Sequence, residues 1–448
     1  MYELATQHQG LLLDVEHRFY GESFPTADTS TANLTYLSAD QALADLARLI
    51  AFVKSALNTE NSQVITVGGS YSGNLAAWFK VKYPHMSDGS VASSAPVTAQ
   101  TNFTGYMDVV ANSMAYFEGQ ECVDSFKTAA DAVQVLATQG PGSAGFTQLD
   151  TDFQTCSPMQ TTQDMSILLS DLMGNVQGTV QYNSGRPGRI NITTICDTML
   201  DVDLGDEYDR FVVLAAQYRS YYNVSCEDAS WADTVAYLSA PENDPDNSGR
   251  PWTFQTCNEF GYFQTTDSED QPFHSWTALD LSFYMDLCFA AFGGWTKYPQ
   301  VDFMNTNYGA MDIAAVNVIF PSGSIDPWHY LGVDSASVEM KQATETPLWI
   351  VGTSHCADLN QPTPWDIPAL NKARQDIADY VDIWLESSSS NTKNNDDDDE
   401  LFSDKNLAIG GITAGIVIAV IAVVFSVVYV ARNKRSSDAS DTLVHNQY

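Results

Sequence analysis

The chain has 448 residues, of which 56 are acidic and 20 basic, giving a formal net charge of −36. That balance excludes a nucleic-acid-binding role, which needs a basic footprint. It suits a protein held soluble in an acidic compartment, where many carboxylates lose charge, and equally a generic acidic secreted protein. The length is enough for a sizeable core, read as one large unit with an inserted subdomain.

Leu11 to Val15 read as a buried strand. Glu16, His17, Arg18 and Glu22 then crowd charges beside Phe19 and Tyr20. Buried charges must be paired, so an Arg18–carboxylate pair is expected to brace these loops. Ser38 and Gln41 form a capping-box pattern, and Leu43, Leu46, Ala47, Ile50 and Val53 follow at helical spacing.

Val64 to His85 is the most informative stretch. A β-branched run (Val64, Ile65, Val67) stops at Gly68-Gly69, Ser70 follows, and a helix opens with Leu75, Trp78, Phe79 and Val81 as apolar positions. This is the layout of a nucleophile elbow, which raises a serine hydroxyl above the end of a sheet and aims the next backbone N–H groups at a developing oxyanion. The last small position of the pattern is Ser72, with Gly73 behind it. An ordinary Gly-rich strand–helix turn has the same local pattern, so the elbow needs partners elsewhere.

From about 101 to 304 the periodicity is helical and rich in aromatics, with Gly and Pro breaks at 140–143, 185–188 and 241–251. Six of the seven cysteines lie here (Cys122, Cys156, Cys196, Cys226, Cys257, Cys288), none with metal-site C-x-x-C spacing, and they read as disulfides of undetermined connectivity. Cys356 is either unpaired or bonded to a segment outside this sequence. Four sequons, at Asn33, Asn102, Asn191 and Asn223, fit a lumenal setting.

A serine nucleophile needs a histidine base and a carboxylate that orients it, in the chain order Ser, Asp, His for this kind of fold. Ala314 to Phe320 reads as a strand followed by a loop with Asp326, and Leu348 to Val351 as a strand followed by a loop with His355. Open α/β sheets place their ligands at such strand ends. Of seven histidines, His329 is the competitor, but it shares the Asp326 loop and reads as a neighbour of the site. Residues 305–387 end in a helix with Pro368 in its first turn and an apolar stripe of Leu370, Ala373, Ile377, Val381 and Trp384.

From 386 the composition becomes polar, a linker pattern. Leu407 to Ala431 then carry no charge, long enough for a membrane helix. Arg432, Lys434 and Arg435 behind it place the tail in the cytosol and the bulk of the chain in a lumen or outside, at the plasma membrane or an acidic vesicle. Gly411 and Gly415 make a GxxxG pair that allows homodimer packing.

Five segments together resemble one family: EHRFYGES (16–23), GGSYSGNLAAWFKVKYP (68–84), WTFQTCNEFGYFQTT (252–266), SIDPW (324–328) and SHCADL (354–359). It is the family of serine peptidases that includes prolylcarboxypeptidase, dipeptidyl peptidase II and thymus-specific serine protease. The Ser-Tyr-Ser-Gly elbow and the Trp252 segment look nearest to the thymus-specific branch. The resemblance implies an α/β-hydrolase core with a large, mostly helical inserted cap, and peptide hydrolysis, often beside proline. It implies Ser70 as nucleophile, Asp326 as orienter, His355 as general base and the Tyr71 N–H as an oxyanion donor. It implies no metal and no cofactor. Against that family Met1 falls within the helix before the first matched strand. The expectation is an N-terminally truncated product without the Gly-Gly-Glu-type loop that would give a second oxyanion donor.

The organisation expected is core 1–100, helical cap 101–304, core 305–387, acidic disordered linker 388–406, membrane helix 407–431 and cytosolic tail 432–448. The function expected is a membrane-anchored serine peptidase, a proline-adjacent exopeptidase acting on peptides. Two other readings stay open: an esterase or lipase with the same triad, and a non-catalytic ectodomain on a hydrolase scaffold.

Overall fold

The structure is a computed structural model that describes residues 2–333, 345–393 and 416–419. Its described strands are β1 (Leu11–Asp14), β2 (Val64–Gly69), β3 (Gly89–Ser93), β4 (Gln100–Asn102), β5 (Gly261–Phe263), β6 (Val318–Gly323), β7 (Glu345–Ile350) and β8 (Ile416–Ala419). Six form one sheet in the order β1-β8-β2-β3-β6-β7, and every pairing in it is parallel. β4 and β5 pair as a separate two-stranded parallel ribbon.

A parallel sheet must be covered on both faces, and the period-2 alternation of β2 shows how. Val64 joins a large apolar cluster with Leu43, Ile50, Leu75 and Phe79. Ile65 and Val67 join a second cluster with Leu4, Val91, Ile319, Ile377, Val381 and Trp384. The helices α1 (Tyr2–Gln7), α2 (Ala39–Leu57) and α3 (Tyr71–Lys82) come from the first part of the chain. Between β3 and β6 run α4 (Gly105–Glu118), α5 (Gln120–Ala137), α6 (Ala144–Asp152), α7 (Thr162–Gln181), α8 (Ile192–Leu200), α9 (Glu207–Tyr222), α10 (Trp231–Ser239), α11 (Gly249–Gln255), α12 (Leu281–Ala291) and α13 (Val301–Tyr308). The last helix among the described residues, α14 (Pro368–Lys393), opens on Pro368, and its stripe of Leu370, Ala373, Ile377, Val381 and Trp384 is buried. A Cβ on Gly89 would lie 2.0 Å from Trp384, so a glycine in β3 lets that indole reach the sheet.

Several expectations need correction. Leu11 and Leu12 form a strand, but they are 38% and 37% exposed rather than buried, because β1 is an outer strand of the sheet. The Ser38 cap forms only half of its box. Ser38 Oγ accepts from Gln41 N at 3.3 Å, whereas the Gln41 side chain is taken by Arg18. α14 continues to Lys393, into the stretch 388–406 expected as linker, and 394–406 lie outside the described residues.

The expected membrane helix 407–431 lies outside the described residues except for Ile416–Ala419. Those four are extended and pair with both β1 and β2. Ile and Val suit a strand of a parallel sheet as well as a lipid-facing helix, so hydropathy alone does not separate the two. Among the described residues no helix is long and apolar enough to cross a membrane. The Gly411–Gly415 pair and the tail 432–448 lie outside the described residues.

Three disulfides staple the helical stretch. Cys122–Cys196 ties α5 to α8, Cys156–Cys226 joins the loops after α6 and α9, and Cys257–Cys288 ties the turn after α11 to α12. Cys356 is free and partly exposed. Alkylation of the denatured, unreduced protein is expected to label the peptide containing Cys356 and no other cysteine. Mass mapping that finds a second labelled cysteine would refute this pairing. Replacing both Cys122 and Cys196 by alanine releases a loop closed across 74 residues of sequence separation. The expected loss of unfolding free energy is about 4 kcal/mol, read from denaturant midpoints.

Candidate active site

β2 ends at Gly69 and α3 begins at Tyr71, leaving Ser70 alone on the turn with φ 59° and ψ −129°. Serine rarely adopts such a backbone, and it persists because the surroundings fix it. Ser70 N–H donates to Ser93 O at the end of β3 (3.0 Å), and Ser70 O accepts from Asn74 N (3.1 Å). The crossing is so close that a Cβ on Gly68 would lie 2.0 Å from Ser72 O. A Cβ on Gly73 would lie 2.7 Å from Ser93 O. Glycine at 68 and 73 is therefore a packing requirement of the turn. The N–H of Tyr71, first in α3, has no acceptor within the helix.

Asp326 and His355 meet at the carboxyl ends of β6 and β7. His355 Nδ1 lies 2.9 Å from both Asp326 oxygens, and the two residues are 4% and 0% exposed. Burial lowers the proton affinity of His355, but the charge of Asp326, with a contribution from Cys356, outweighs it and holds the pKa well above the ordinary value. Asp326 also accepts from Trp328 N at 3.0 Å. His355 Nε2 is buried and makes no hydrogen bond, so Ser70 and His355 are not yet joined. The loop bearing His355 rests against the elbow. A Cβ on Gly69 would lie 2.8 Å from Leu359 Cδ1 and 2.9 Å from Cys356 Sγ. His329 is elsewhere, its ring edge-on to Trp349 with centroids 4.9 Å apart.

Groups far apart in sequence fix these loops. Gln181, at the end of α7, accepts His355 N–H on its carbonyl (2.9 Å). Its side-chain oxygen accepts from Trp328 Nε1 (3.0 Å) and Tyr106 OH (2.6 Å). Arg374 of α14 donates to the carbonyls of Ala357 (2.9 Å) and Asp358 (3.1 Å) and to Asp366 (2.6 Å). Asp358 is buried, with Oδ1 accepting from Ser93 Oγ at 2.6 Å and Oδ2 unpartnered. Burial pushes its pKa up to about 6.

A second buried network lies behind Tyr71. Tyr71 OH accepts from Gln255 Nε2 (2.9 Å) and lies 3.2 Å from His17 Nε2. His17 Nδ1 lies 2.7 Å from Arg18 O, a carbonyl that can only accept, so Nδ1 carries the proton and Nε2 receives the Tyr71 hydroxyl. Burial pulls His17 down to about 4, which keeps this neutral tautomer. Gln255 also accepts from Tyr20 OH (2.7 Å) and donates to Glu259 (3.2 Å). Glu259 accepts Ala39 N–H at the start of α2 (3.0 Å), and burial pushes its pKa up to about 7. The expected partner of Arg18 is Asp45 on α2, held by two hydrogen bonds of 2.6 and 2.7 Å. Sequence reading gave Glu259, Gln255 and Gln181 no role; only the Trp252 segment pointed toward two of them.

The sequons differ in their surroundings. Asn33 donates to Asp28 (2.7 Å), Asn102 to Asp267 (2.8 Å) and Asn191 to Ser184 O (3.2 Å). Asn223 is exposed at the left-handed end of α9.

The serine carboxypeptidase S28 family matches residues 1–377 of the chain. Thymus-specific serine protease of Mus musculus is 34% identical over 399 residues, which cover 86% of this chain and 76% of that protein. The Homo sapiens thymus-specific serine protease is 34% identical over 399 residues, 86% and 75% of the two chains. Lysosomal Pro-X carboxypeptidase of Bos taurus is 30% identical over 410 residues, 86% and 76% of the two chains.

Glu259 makes the fold sensitive to pH. Its folded pKa, about 7, is raised above the ordinary value of 4.5. Between those values the folded state keeps a proton that the unfolded state has released. Stability therefore falls as pH rises from about 4.5 to 7, by about 3 kcal/mol, and levels off above. Glu259→Gln is expected to flatten that part of the profile in thermal unfolding measured from pH 4.5 to 8. An unchanged slope in the variant would show that Glu259 is not the group responsible.

Proposed function

The chain belongs to the serine carboxypeptidase S28 family and is a serine peptidase, and we propose that it is a proline-directed exopeptidase whose triad is Ser70, His355 and Asp326. The observation that carries this reading is His355, buried, bonded through Nδ1 to Asp326. Its Nε2 is left without a partner, on a loop that lies against the elbow of Ser70.

In the proposed reaction the Ser70 hydroxyl attacks the carbonyl carbon of the scissile peptide bond, and its proton passes to His355 Nε2. Asp326, which accepts a hydrogen bond from Nδ1–H, fixes the tautomer and stabilises the imidazolium. The Tyr71 N–H receives the developing oxyanion, as the first free donor of a helix N-terminus. The C–N bond breaks as His355 returns the proton to the leaving amine. Water, deprotonated by the same imidazole, then attacks the acyl-enzyme and frees Ser70. Each step uses groups of this chain alone.

The preference for proline rests on relatives, one of which is named a Pro-X carboxypeptidase. The acidic composition and the three disulfides support an oxidising, acidic lumen as the setting. The uncharged run 407–431 and its basic flank support a membrane tether. Ile416–Ala419 run in the sheet in this structure, so tethering requires that strand to leave it. Alkaline carbonate extraction of cell membranes separates the two: a tethered chain stays in the pellet, and a chain held by its sheet is released.

Ser70→Ala is expected to abolish cleavage of a mixed peptide library. Asp326→Asn is expected to lower kcat by roughly 10⁴-fold with the fold intact. Mass spectrometry of the products shows whether the wild-type cuts lie next to proline and at which end. Cleavage that survives Ser70→Ala would remove Ser70 from the triad. Cuts without regard to proline would remove the proline preference.

A further inference from the structure

Tyr182 follows α7 and is where the helical stretch reaches His355. Its backbone is pinned on both sides: Gln181 O accepts His355 N–H (2.9 Å), and Asn183 O accepts Ser354 Oγ (2.8 Å). The Tyr182 ring stands edge-on to the His355 ring at 76°, with centroids 6.0 Å apart. Trp328 is a second ring near His355, at 6.4 Å and tilted 43°. The imidazole thus has two aromatic neighbours of opposite character. Trp328 is buried, its N–H spent on Gln181, whereas Tyr182 is 53% exposed. The exposed ring is thus carried beside the buried base by a backbone held at both neighbours.

We propose that Tyr182 is a substrate-contacting residue whose ring packs against the pyrrolidine ring of the proline beside the scissile bond. This rests on the proline-directed reading of the same site. Proline rings dock on aromatic walls, because a rigid apolar ring covers an aromatic face at little entropic cost. In the proposed reaction the scissile bond lies beside His355, so the residue next to it is brought toward the exposed ring that stands against His355. An alanine in place of proline leaves most of that face uncovered, so the contact discriminates between the two.

The test compares the full-length wild type with Tyr182→Phe, Tyr182→Leu and Tyr182→Ala. The substrates are paired peptides that differ only in proline or alanine beside the scissile bond, with kcat and KM measured separately. Tyr182→Phe is expected to retain the proline-to-alanine ratio of kcat/KM. Tyr182→Leu and Tyr182→Ala are expected to lose up to about tenfold on the proline peptide, with little change on the alanine peptide. The leucine variant keeps the apolar bulk and guards against a folding defect in the alanine variant. An unchanged ratio in the leucine and alanine variants, or an equal loss on both peptides, would overturn the role of Tyr182 and leave the proline reading intact. A wild type with no preference for proline would overturn the proline reading, and this inference with it.

Discussion

The bond between His355 Nδ1 and Asp326 is the interaction on which the arrangement of the site depends. Both groups are taken out of water, which disfavours charge on either. The pairing outweighs that cost at His355, whose pKa stays well above the ordinary value. Such a pair is stable only where its geometry is held, because a small separation would leave a buried carboxylate uncompensated. The surrounding structure supplies that hold. Asp326 is tied by Trp328 N–H, His355 by the carbonyl of Gln181, and the turn behind His355 by Arg374. These restraints come from three parts of the chain: the Asp326 loop itself, the helix α7, and the helix α14.

The elbow has its own support, built differently. Ser70 sits in a strained conformation, and the strain is contained by close packing of Gly68 and Gly73 on backbone atoms. Tyr71 is held through its side chain by His17 and Gln255, so the N–H proposed as the oxyanion donor belongs to a residue anchored at its far end. Glu259 anchors the same network to the start of α2. A carboxyl with a pKa near 7 in that place is neutral in acid and ionised in base. Burial favours the neutral form and the two hydrogen bonds it accepts favour the ionised one, so the anchor of the elbow changes charge near neutral pH.

How far the site could be read from sequence follows the range of each interaction. The elbow, the loops of Asp326 and His355 and the stripe of α14 are local patterns, each set by its own strand–loop or helix, and they were legible. The family expected from five short motifs is the family that matches residues 1–377. The carboxylate partner of Arg18 was expected only as a class. Its identity, Asp45, depends on how α2 lies beside the loop. Gln181 and His17 were illegible for a related reason, since a glutamine at a helix end and a histidine after a strand carry no signal without their neighbours. β1 was misjudged as buried because apolar content reports strand type and not position in the sheet. The run 407–431 shows the same limit, since four of its residues serve as a strand here.

The carbonyl of Gln181 connects the helical stretch to the chemistry in a way that has consequences for folding. His355 N–H has its acceptor in a helix about 170 residues earlier in the chain, so the His355 loop can take its final form only after α7 has docked. α7 itself sits among helices closed by Cys122–Cys196 and Cys156–Cys226. In a reducing environment the docking of those helices loses the support of both bridges, and the geometry at His355 weakens with it. The sheet supplies the strand ends that bring Asp326 and His355 together, and the inserted helices supply the acceptor for the His355 N–H. The disulfides of the insertion thus stabilise the helices that carry Gln181, which ties the chemistry of the core to the compartment in which the disulfides form.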